Sequence, residues 1–498
     1  MRLTLLVLFV IGNLAFTVGQ STNPGENNVF RPNELAIIRL TLSPEDKAFL
    51  LDPANVESEE YLEADFSMTN SLIDTTLEIK VGVRLRGNTS RYHNKKPFKI
   101  DFREFGGGKF FDCKKFNLKP NTNDPSQIRE PLTLHFYRLM DVPAARTHPV
   151  IVYMNDEYMG TYINVEQVDD EFLNRRFGHE DGFLYKCGYG ANLQHNGQVY
   201  NEIMFESKIN EEDDTRAEID HFTNVLNNTT NANFVTEIEK VFEVNRYLRQ
   251  LAVEALTGHW DGYSWNQNNF YLHFNEQSGL VEFFPYDADN TWGIDWVGGD
   301  WGVRDVNNWA KSGEPRPLTT RILNVPAYRE KYEEYLIELL DNYFTEDYLG
   351  PLLNDHKEFL GQAVQEDTYF DDSFGFTYND FLNSFTQPMD NHVQYGILEF
   401  VQVRRQAALE QLGLVLSAES SNSNLTIYPN PSHARRFFIH SEKQTFSQPT
   451  VTTSLGFNVN IETERIDDQT VSVALPEFTS SGLYFIRVDG KLLKWICH

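Results

Sequence analysis

The sequence predicts an α+β protein with a large mixed body and a small all-β tail. Three patterns carry this prediction. Alternating apolar and polar residues in the first half of the body indicate strands, and apolar residues at helical spacing in its second half indicate helices. Beyond a polar stretch near residue 420, short alternating runs separated by Asn, Pro, Gly and Ser are typical of a small β-sandwich.

The domain boundaries follow these changes of pattern. We assign residues 31–415 to the body, which is strand-rich to about residue 205 and mainly helical from about residue 206. Residues 416–423 are polar and form a linker, and residues 424–498 form the C-terminal β-sandwich. This tail carries equal numbers of basic and acidic residues, so the net charge of the chain lies upstream of it.

Individual elements of the body follow from local periodicity. The runs at Ala36–Leu42 and Leu77–Arg86 predict strands, and Lys96–Phe102 is the strand that returns from the second of them. The other predicted elements are a helix at Ser126–Met140, a hairpin of Val150–Met154 and Tyr158–Val165, a helix at Val244–Leu256, and a strand pair at Asn269–His273 and Leu280–Pro285.

Residues 1–20 have the pattern of a targeting segment. Arg2 gives a positive start, Leu5–Phe16 is an apolar run, and small or polar residues follow up to Gln20. This pattern is typical of a secretory signal peptide that is cleaved near Gln20. No later stretch reaches about 18 apolar residues, so we expect no transmembrane segment and a protein that works outside the cytoplasm.

The charge balance restricts the class of partner. The chain has 43 Lys and Arg against 72 Asp and Glu, a net charge of −29. Broad binding to nucleic acid or anionic lipid needs clustered cations, so we expect no nucleic-acid partner. A cationic partner or a divalent metal is compatible with this charge, and so is the solubility of an exported protein. Cys113, Cys187 and Cys497 are too scattered for a disulfide framework or a zinc site, and a pairing of Cys113 with Cys187 stays open.

The most informative motif directly follows the helix of the second half. A loop there contains His259, Asp261 and, five residues beyond the aspartate, Asn266. A predicted hairpin then leads to a second acidic motif with Asp287 and Asp289. The order of helix, H-x-D-x-x-x-x-N loop, hairpin and acidic motif is similar to the catalytic plan of protein kinases.

These residue types suit phosphoryl transfer to a hydroxyl group. An aspartate at the position of Asp261 can orient the acceptor and take its proton. Asn266 and Asp287 supply oxygen ligands of the kind that Mg²⁺ prefers, with phosphate and water completing the octahedron. Asp289 could ligate a second metal or orient the other ligands. Because Asp and Asn are common in loops, a capping and turn role is the alternative for all four residues.

The body resembles the CotH family, the spore coat protein H-like atypical kinases. The resemblance runs over roughly residues 35–415 and implies a two-lobed protein-kinase-like fold, ATP with Mg²⁺ or Mn²⁺, and phosphorylation of Ser or Thr in exported proteins. It places Asp261 at the catalytic position and Asp287 at the metal position. The segments that carry it are 83–90, 95–100, 160–169, 182–186, 259–272 and 285–293, with a closing helix that contains Arg404 and Arg405.

The residues that would bind the nucleotide phosphates are expected in the strand-rich half. The turn at Gly87–Ser90 either covers the phosphates as a glycine-rich loop does or is an ordinary hairpin turn. The resemblance makes Lys96 a point charge on the phosphates, and Arg86 and Lys186 can face the same cleft. Glu166 either orients one of these cations as an ion pair or satisfies a strand end. For each basic residue, a solvated surface position is the alternative.

The tail resembles a known export module. Leu425–Pro431 and Ser481–Val488 are similar to the two ends of the C-terminal sorting domain of the type IX secretion system. This resemblance implies passage across a bacterial outer membrane by the secretion machinery, with release or attachment at the cell surface. A carbohydrate-binding or structural β-domain is the alternative.

Three functions are compatible with these observations, and an exported Ser/Thr kinase is the one we favour. A catalytically idle surface scaffold or adhesin accords with the poor supply of ATP outside the cytosol. This function does not explain why the chain contains Asp261, Asn266 and Asp287. Another Mg²⁺-dependent phosphate enzyme or a glycan-acting surface protein is the third, since Trp292, Trp296 and Trp301 could stack on sugars. Core packing, or ordering of the segment after the metal site, is the alternative role for these three residues.

Overall fold

The structure is a computed structural model, and it confirms a mixed α+β protein. The predicted signal peptide and linker lie outside the residues that it describes. Those residues are 22–74, 79–195, 200–389, 392–414, 425–430, 432, 434–441, 447–453, 458–476, 479, 482–488 and 491–497.

The first half of the body forms a closed barrel. Its strand order is β1-β2-β3-β4-β5-β7-β6, and it closes through a parallel pairing of β1 with β6. A helix, α1 (Pro44–Leu51), joins the first two strands, and α2 (Arg129–Leu139) lies between β5 and β6. The strands are β1 (Ala36–Leu42), β2 (Leu62–Thr69), β3 (Ile79–Leu85), β4 (Phe98–Asp101), β5 (Lys115–Lys119), β6 (Thr147–Met154) and β7 (Glu157–Glu166).

Alternation along the strands decides which side chains fill the barrel. In β3, Val81, Val83 and Leu85 are fully or nearly fully buried in its core, whereas Arg84 between them is only partly buried. Because successive side chains of a strand point to opposite faces, the basic residues of β3 to β5 lie on the outer face of the barrel. This outer face contributes the cations of the site described below.

A second sheet joins the two halves of the body. It has the order β11-β10-β8-β9 and is antiparallel throughout. Its central pairing brings β8, from the end of the predicted strand-rich part, against the predicted strand pair of the helical part. The strands are β8 (Gly182–Cys187), β9 (Phe205–Ile209), β10 (Phe270–Asn275) and β11 (Leu280–Pro285).

Helices make up most of the second half, and their apolar faces build the largest core of the chain. The amphipathic helix α6 carries the predicted pattern, since Leu248, Leu251, Ala252 and Leu256 are all buried. The helices are α3 (Asp170–Phe177), α4 (Ala217–Asn228), α5 (Phe234–Ile238), α6 (Val244–Thr257), α7 (Tyr263–Asn266), α8 (Pro317–Leu323), α9 (Pro326–Asn342), α10 (Glu346–Gln365), α11 (Tyr378–Asn383) and α12 (Ile397–Gln411).

The tail consists of two four-stranded antiparallel sheets, with the orders β12-β13-β17-β16 and β15-β14-β18-β19. One apolar core contains side chains from both sheets, and Trp495 is fully buried in it with its indole donating to the carbonyl of Pro429 at 2.9 Å. The strands are β12 (Leu425–Tyr428), β13 (Arg436–Ser441), β14 (Thr450–Thr453), β15 (Asn458–Val459), β16 (Glu462–Arg465), β17 (Thr470–Ala474), β18 (Gly482–Val488) and β19 (Lys491–Cys497).

The structure describes the two cysteines of the body and the turn at Gly87–Ser90. Cys113 and Cys187 are both buried free thiols, so the structure does not pair them. The turn at Gly87–Ser90 belongs to a long connection between the paired strands β3 and β4, which includes a 3₁₀ turn at Thr89–Tyr92.

In the part of the chain that the structure describes, no helix has both the length and the apolar character needed to cross a membrane.

Candidate active site

Asp261 lies in the loop between α6 and α7 and is held by a ring of amides. The helix α6 ends at Gly258, which takes the left-handed conformation at φ 70° and reverses the chain toward His259. Both carboxylate oxygens of Asp261 accept hydrogen bonds from neutral side chains. The four donors are Nδ2 of Asn266 at 2.5 Å, of Asn269 at 2.9 Å, of Asn290 at 3.2 Å and of Asn268 at 3.3 Å.

These donors orient the carboxylate without neutralising it. Burial raises the pKa of Asp261, and the amides of Asn266 and Asn268 oppose this by stabilising the charged form. No ion pair with Asp261 occurs among the described residues, and the four side chains that donate to its carboxylate are neutral amides.

His259 supports this loop from beneath. It is fully buried, its Nδ1 lies 3.1 Å from the hydroxyl of Tyr137, and its main-chain N–H donates to the carbonyl of Glu254 at 2.9 Å. Burial lowers the pKa of His259 to about 4, so the ring is neutral at pH 7. Because the ring is buried, the histidine of the motif braces the loop from within the core.

An acidic cluster follows β11 and receives a lysine from the barrel. Lys119, the last residue of β5, lies 2.6 Å from Glu130 in the first turn of α2. The same ammonium group forms an ion pair with Asp287 and lies 3.9 Å from Asp289. Burial opposes a charge on Lys119, but the carboxylates of Asp287 and Glu130 raise its pKa well above the usual value. The barrel and the hairpin β10–β11 thus meet at one charged centre.

Asp287 has an unusual backbone. Its φ is 51°, in the left-handed region that residues with a Cβ adopt at a cost. Such conformations cluster at functional sites, where the surrounding structure maintains them. Here the main chain of Asp287 lies against the ring of His259 and its carboxylate against Lys119. The strained turn directs this carboxylate toward the barrel.

Two further cations from the sequence analysis reach the same centre. Arg86, directly after β3, donates from Nη2 to the hydroxyl of Tyr286 at 2.8 Å. The ammonium of Lys186 in β8 lies 5.1 Å from the centre of the Tyr286 ring. Burial raises the pKa of Asp287, but Lys119, Arg86 and Lys186 together lower it below the usual value.

The donor set around Asp287 fits a hard divalent cation. In the described parts of the chain, no group of three or more His, Cys, Asp or Glu side chains is arranged to hold a metal ion. Mg²⁺ does not need such a group, since it is commonly bound by one or two carboxylates with substrate phosphates and water. Asp287 and Asp289 offer two carboxylates, while the side-chain amide of Asn266 donates to Asp261 at 2.5 Å.

Comparison with known proteins gives a family match over most of the body. The model of the family described as CotH kinase protein matches residues 83–408, about two thirds of the chain. The chain belongs to the CotH family. The matched region runs from within β3 through β11 to α12 and contains all of the site residues named above, and it ends before the two tail sheets.

Named CotH relatives occur in a bacterium and in a fungus. The chain is 27% identical over 296 residues to the inner spore coat protein H of Bacillus subtilis, covering 58% of this chain and 79% of the relative. It is 26% identical over 336 residues to spore coat protein homolog 1 of Rhizopus delemar, covering 61% of this chain and 53% of the relative. Invasin CotH2 of the same fungus is 22% identical over 331 residues, with 61% and 55% covered. The match spans about half the length of these two fungal proteins.

Lys96, which the CotH resemblance suggested for the phosphates, and Glu166, expected to orient one of the cations or satisfy a strand end, have other partners in the structure. Lys96 is buried, and its ammonium donates to the carbonyl of Arg91 at 2.8 Å inside the β3–β4 connection. Glu166 pairs with none of Arg86, Lys96 and Lys186. Instead its buried carboxylate is surrounded by three arginines, Arg146 at 2.9 Å, Arg175 at 2.8 Å and Arg176 at 2.8 Å.

Two basic residues inside the CotH-matching region were missed by the sequence analysis. Lys119 is one, with its partner Glu130. Lys99 is the other: it lies in β4 opposite Arg84 of β3, and it has no acidic partner among the described residues. Burial, with Lys115, Arg84 and Arg86 nearby, lowers the pKa of Lys99 to about 7. The sequence could have indicated Lys99, since strand alternation puts it on the same face as Arg84. It could not have indicated the contacts of Lys119, because the partners of Lys119 lie in other elements of the chain.

Proposed function

We propose that this protein is an exported kinase that transfers the γ-phosphoryl group of ATP to Ser or Thr hydroxyls of secreted or surface proteins. The observation that carries the proposal is the approach of Lys119 and Glu130 to Asp287, next to an Asp261 that neutral amides orient. A lysine on a strand, paired to a glutamate on the following helix and placed beside a metal-binding aspartate, is the arrangement that protein kinases need for activity.

The role that we assign to each residue follows from its environment. Asp261 accepts the proton of the attacking hydroxyl at a carboxylate oxygen, because no cation occupies that carboxylate. Lys119, Arg86 and Lys186 supply positive charge for the phosphates, and Lys99 adds a cation that needs an anionic partner. Mg²⁺ or Mn²⁺, held by Asp287, Asp289 and Asn266, would neutralise charge on the phosphates when bound.

A two-lobed kinase-like arrangement accords with where these residues originate. We take the barrel with α2 as the first lobe, since it supplies Arg86, Lys99 and the Lys119–Glu130 pair. The second sheet with α6 and the following helices is then the second lobe, which supplies Asp261 and Asp287. The nucleotide would lie between them, against the outer face of β3 to β5.

The tail supports a proposal about export. Its two sheets accord with the β-sandwich that the sequence predicts, and we propose that this unit is the sorting signal read by an outer-membrane secretion machinery. A chain ending at Leu414 should keep the whole kinase body but accumulate behind the outer membrane, as measured by fractionation. Surface delivery of that shortened chain at the normal level would refute the sorting role and leave the kinase proposal intact.

A surface-binding protein without catalysis is the second candidate. It is favoured by the names of the relatives, which are a spore coat protein, a spore coat protein homolog and an invasin, and none of which describes a reaction. The alternative predicts that Asp261 and Lys119 can be replaced without loss of the biological role.

The deciding experiment is phosphoryl transfer by the purified full chain. The protein is incubated with γ-labelled ATP, Mg²⁺ or Mn²⁺ and a basic acceptor protein, which suits the strongly acidic chain. The Asp261→Asn variant serves as the matched control. Label on Ser or Thr that depends on Asp261 supports the kinase; absence of both transfer and nucleotide binding supports the surface-binding candidate.

A further inference from the structure

The segment between α10 and α11, residues 366–376, touches both sides of the candidate site. The second residue of this segment is Asp367, whose side chain is fully buried. The Asp367 carboxylate accepts from the ammonium of Lys95 at 2.5 Å, and from the main-chain N–H and hydroxyl of Thr161 at 2.8 and 3.0 Å. Gly160 makes this approach possible, since a Cβ there would lie 2.3 Å from a carboxylate oxygen. The 366–376 segment is therefore anchored on the barrel strand β7.

Lys95 connects this anchor to the β3–β4 connection, residues 86–97. Lys95 is buried, and Pro97, two residues later, accepts from the N–H of Arg86 at 3.2 Å. Farther inside, Arg91 donates to the carbonyl of Gly87 at 2.7 Å. The connection is thus tied both to itself and to Asp367, and the position of Arg86 depends on these ties.

The other end of the segment reaches toward Asp261. The ring of Phe374 lies 5.4 Å from that of His93 in the β3–β4 connection and 5.5 Å from that of Trp296. The indole N–H of Trp296 donates to Oδ1 of Asn290 at 3.1 Å. Asn290 in turn donates to Asp261 at 3.2 Å. A continuous series of contacts therefore links the β3–β4 connection to the carboxylate of Asp261.

Stability alone does not account for these contacts. Replacing a buried ion pair by apolar residues is often neutral or stabilising, so the Lys95–Asp367 pair is better explained by the geometry it specifies. Trp296 is 48% exposed, which is a large apolar surface to leave beside a polar loop. Its stacking on His392, with ring centres 3.9 Å apart, holds it where its N–H meets Asn290.

We propose that the 366–376 segment is a positioning element of the active site, which fixes the β3–β4 connection against the segment 290–296 and so sets the orientation of Asp261. This inference rests on the proposed kinase function for its catalytic readout. Phe374 is its central residue, because it alone among the described residues of the segment contacts rings from both sides, His93 and Trp296. Phe374, Trp296 and Asn290 act through Asp261 and are positioning residues.

The test uses Phe374→Ala and Trp296→Phe in the full chain. Trp296→Phe keeps an aromatic ring on His392 and Phe374 but removes the hydrogen bond to Asn290. We expect kcat to fall about 10- to 100-fold in both variants, since small misplacements near the chemistry have effects of this size. The Kd for Mg·ATP should stay within about threefold of wild type in Trp296→Phe. Tyr369→Phe is the matched control, because it removes only the hydroxyl contact of the same segment with Glu157.

A readout that does not need activity separates this inference from the kinase proposal. Amide hydrogen exchange should rise in both 86–97 and 288–296 in Phe374→Ala, and it should be unchanged in Tyr369→Phe. Faster exchange confined to 366–376, or a kcat of Trp296→Phe equal to that of wild type in an active enzyme, would overturn the positioning role. A wild-type chain that binds no nucleotide while Phe374→Ala still loosens both segments would refute the kinase proposal alone.

Discussion

Lys119 at the end of β5 lies 2.6 Å from Glu130 in the first turn of α2, with ten residues between them in the chain. The Lys119 side chain is only 13% exposed and also pairs with Asp287, so one cation from the barrel compensates a carboxylate of α2 and one that follows the hairpin β10–β11. Removing such a shared partner leaves buried charges uncompensated. This relationship makes Lys119 the most informative residue to replace.

Lys119→Met should abolish most phosphoryl transfer. The methionine keeps the length of the apolar stem but removes the charge, and loss of one group that stabilises transition-state charge typically costs about 10²–10³-fold in rate. Initial rates with labelled ATP measure the effect. Lys114→Met is the control, because Lys114 neighbours β5 but pairs with Asp170 and Glu171. Equal rates for wild type and Lys119→Met would exclude the residue from the mechanism.

Asp261→Asn should lower kcat by about 10²–10⁴-fold, the usual range for a general base. The affinity for Mg·ATP should change little, since the phosphate contacts are assigned to other residues. Because amides donate to both oxygens of Asp261, the new NH₂ group will face donors, and we expect unfolding free energy to fall by about 1–2 kcal/mol. Transfer at the wild-type rate, with the same loss of stability, would make Asp261 a purely structural residue.

Lys99→Met should weaken ATP binding about tenfold or more. Lys99 is a cation in a basic environment without an acidic partner among the described residues, so a bound phosphate would relieve the repulsion around it. Calorimetric titration with Mg·ATP measures the change. Lys80→Met is the control, since Lys80 lies in β3 as well but is exposed and paired with Glu63 and Asp65. A Kd that Lys99→Met leaves unchanged would place the phosphates elsewhere.

Asp287→Asn should remove most of the metal dependence of ATP binding. The CotH resemblance places Asp287, and not Asp289, at the metal position, so we expect Asp289→Asn to have the smaller effect. Calorimetry in Mg²⁺ and in chelator gives the comparison. If wild type binds ATP equally well in both solutions, neither aspartate has the proposed role.

Glu254→Gln should change the pH dependence of stability. Glu254 in α6 is buried beneath Gly262 of the catalytic loop, with neutral donors Gln250 and Trp309, and burial raises its pKa to about 7. A carboxyl whose pKa is raised on folding contributes stability below its unfolded pKa near 4.5, and this contribution is lost as pH rises through 7. Relative to wild type, the variant should therefore gain stability between pH 5 and pH 8, by up to about 3 kcal/mol.

Denaturant unfolding at pH 5, 6, 7 and 8 measures this difference. The gain should grow with pH and level off above about pH 8. A difference between Glu254→Gln and wild type that is constant with pH would show that Glu254 has an ordinary pKa in the folded protein.

Local sequence determined a large part of this fold. The strand at Ala36–Leu42 has the predicted bounds, and the helix predicted at Val244–Leu256 extends one residue further. The predicted strand Leu280–Pro285 and its pairing with the preceding strand are also confirmed. These elements could be predicted because a periodicity of two or of 3.6 residues is set by neighbours in the chain. The same local spacing puts Asp261 and Asn266 close together in the chain, and in the structure the Asn266 amide donates to Asp261 at 2.5 Å, a contact that the sequence analysis did not predict.

Tertiary structure alone decided the remaining parts of the site. The closure of the barrel, the Lys119–Glu130–Asp287 cluster and the arginines around Glu166 each join residues that no local pattern relates. Lys96 and Lys99 differ by only three positions, yet one is bound to a carbonyl in its own loop and the other lies in a cluster of cations. A side chain's charge partners depend on which distant elements pack against it, and periodicity carries no information about them. The sequence therefore determined which residues could do chemistry, and packing determined which of them meet.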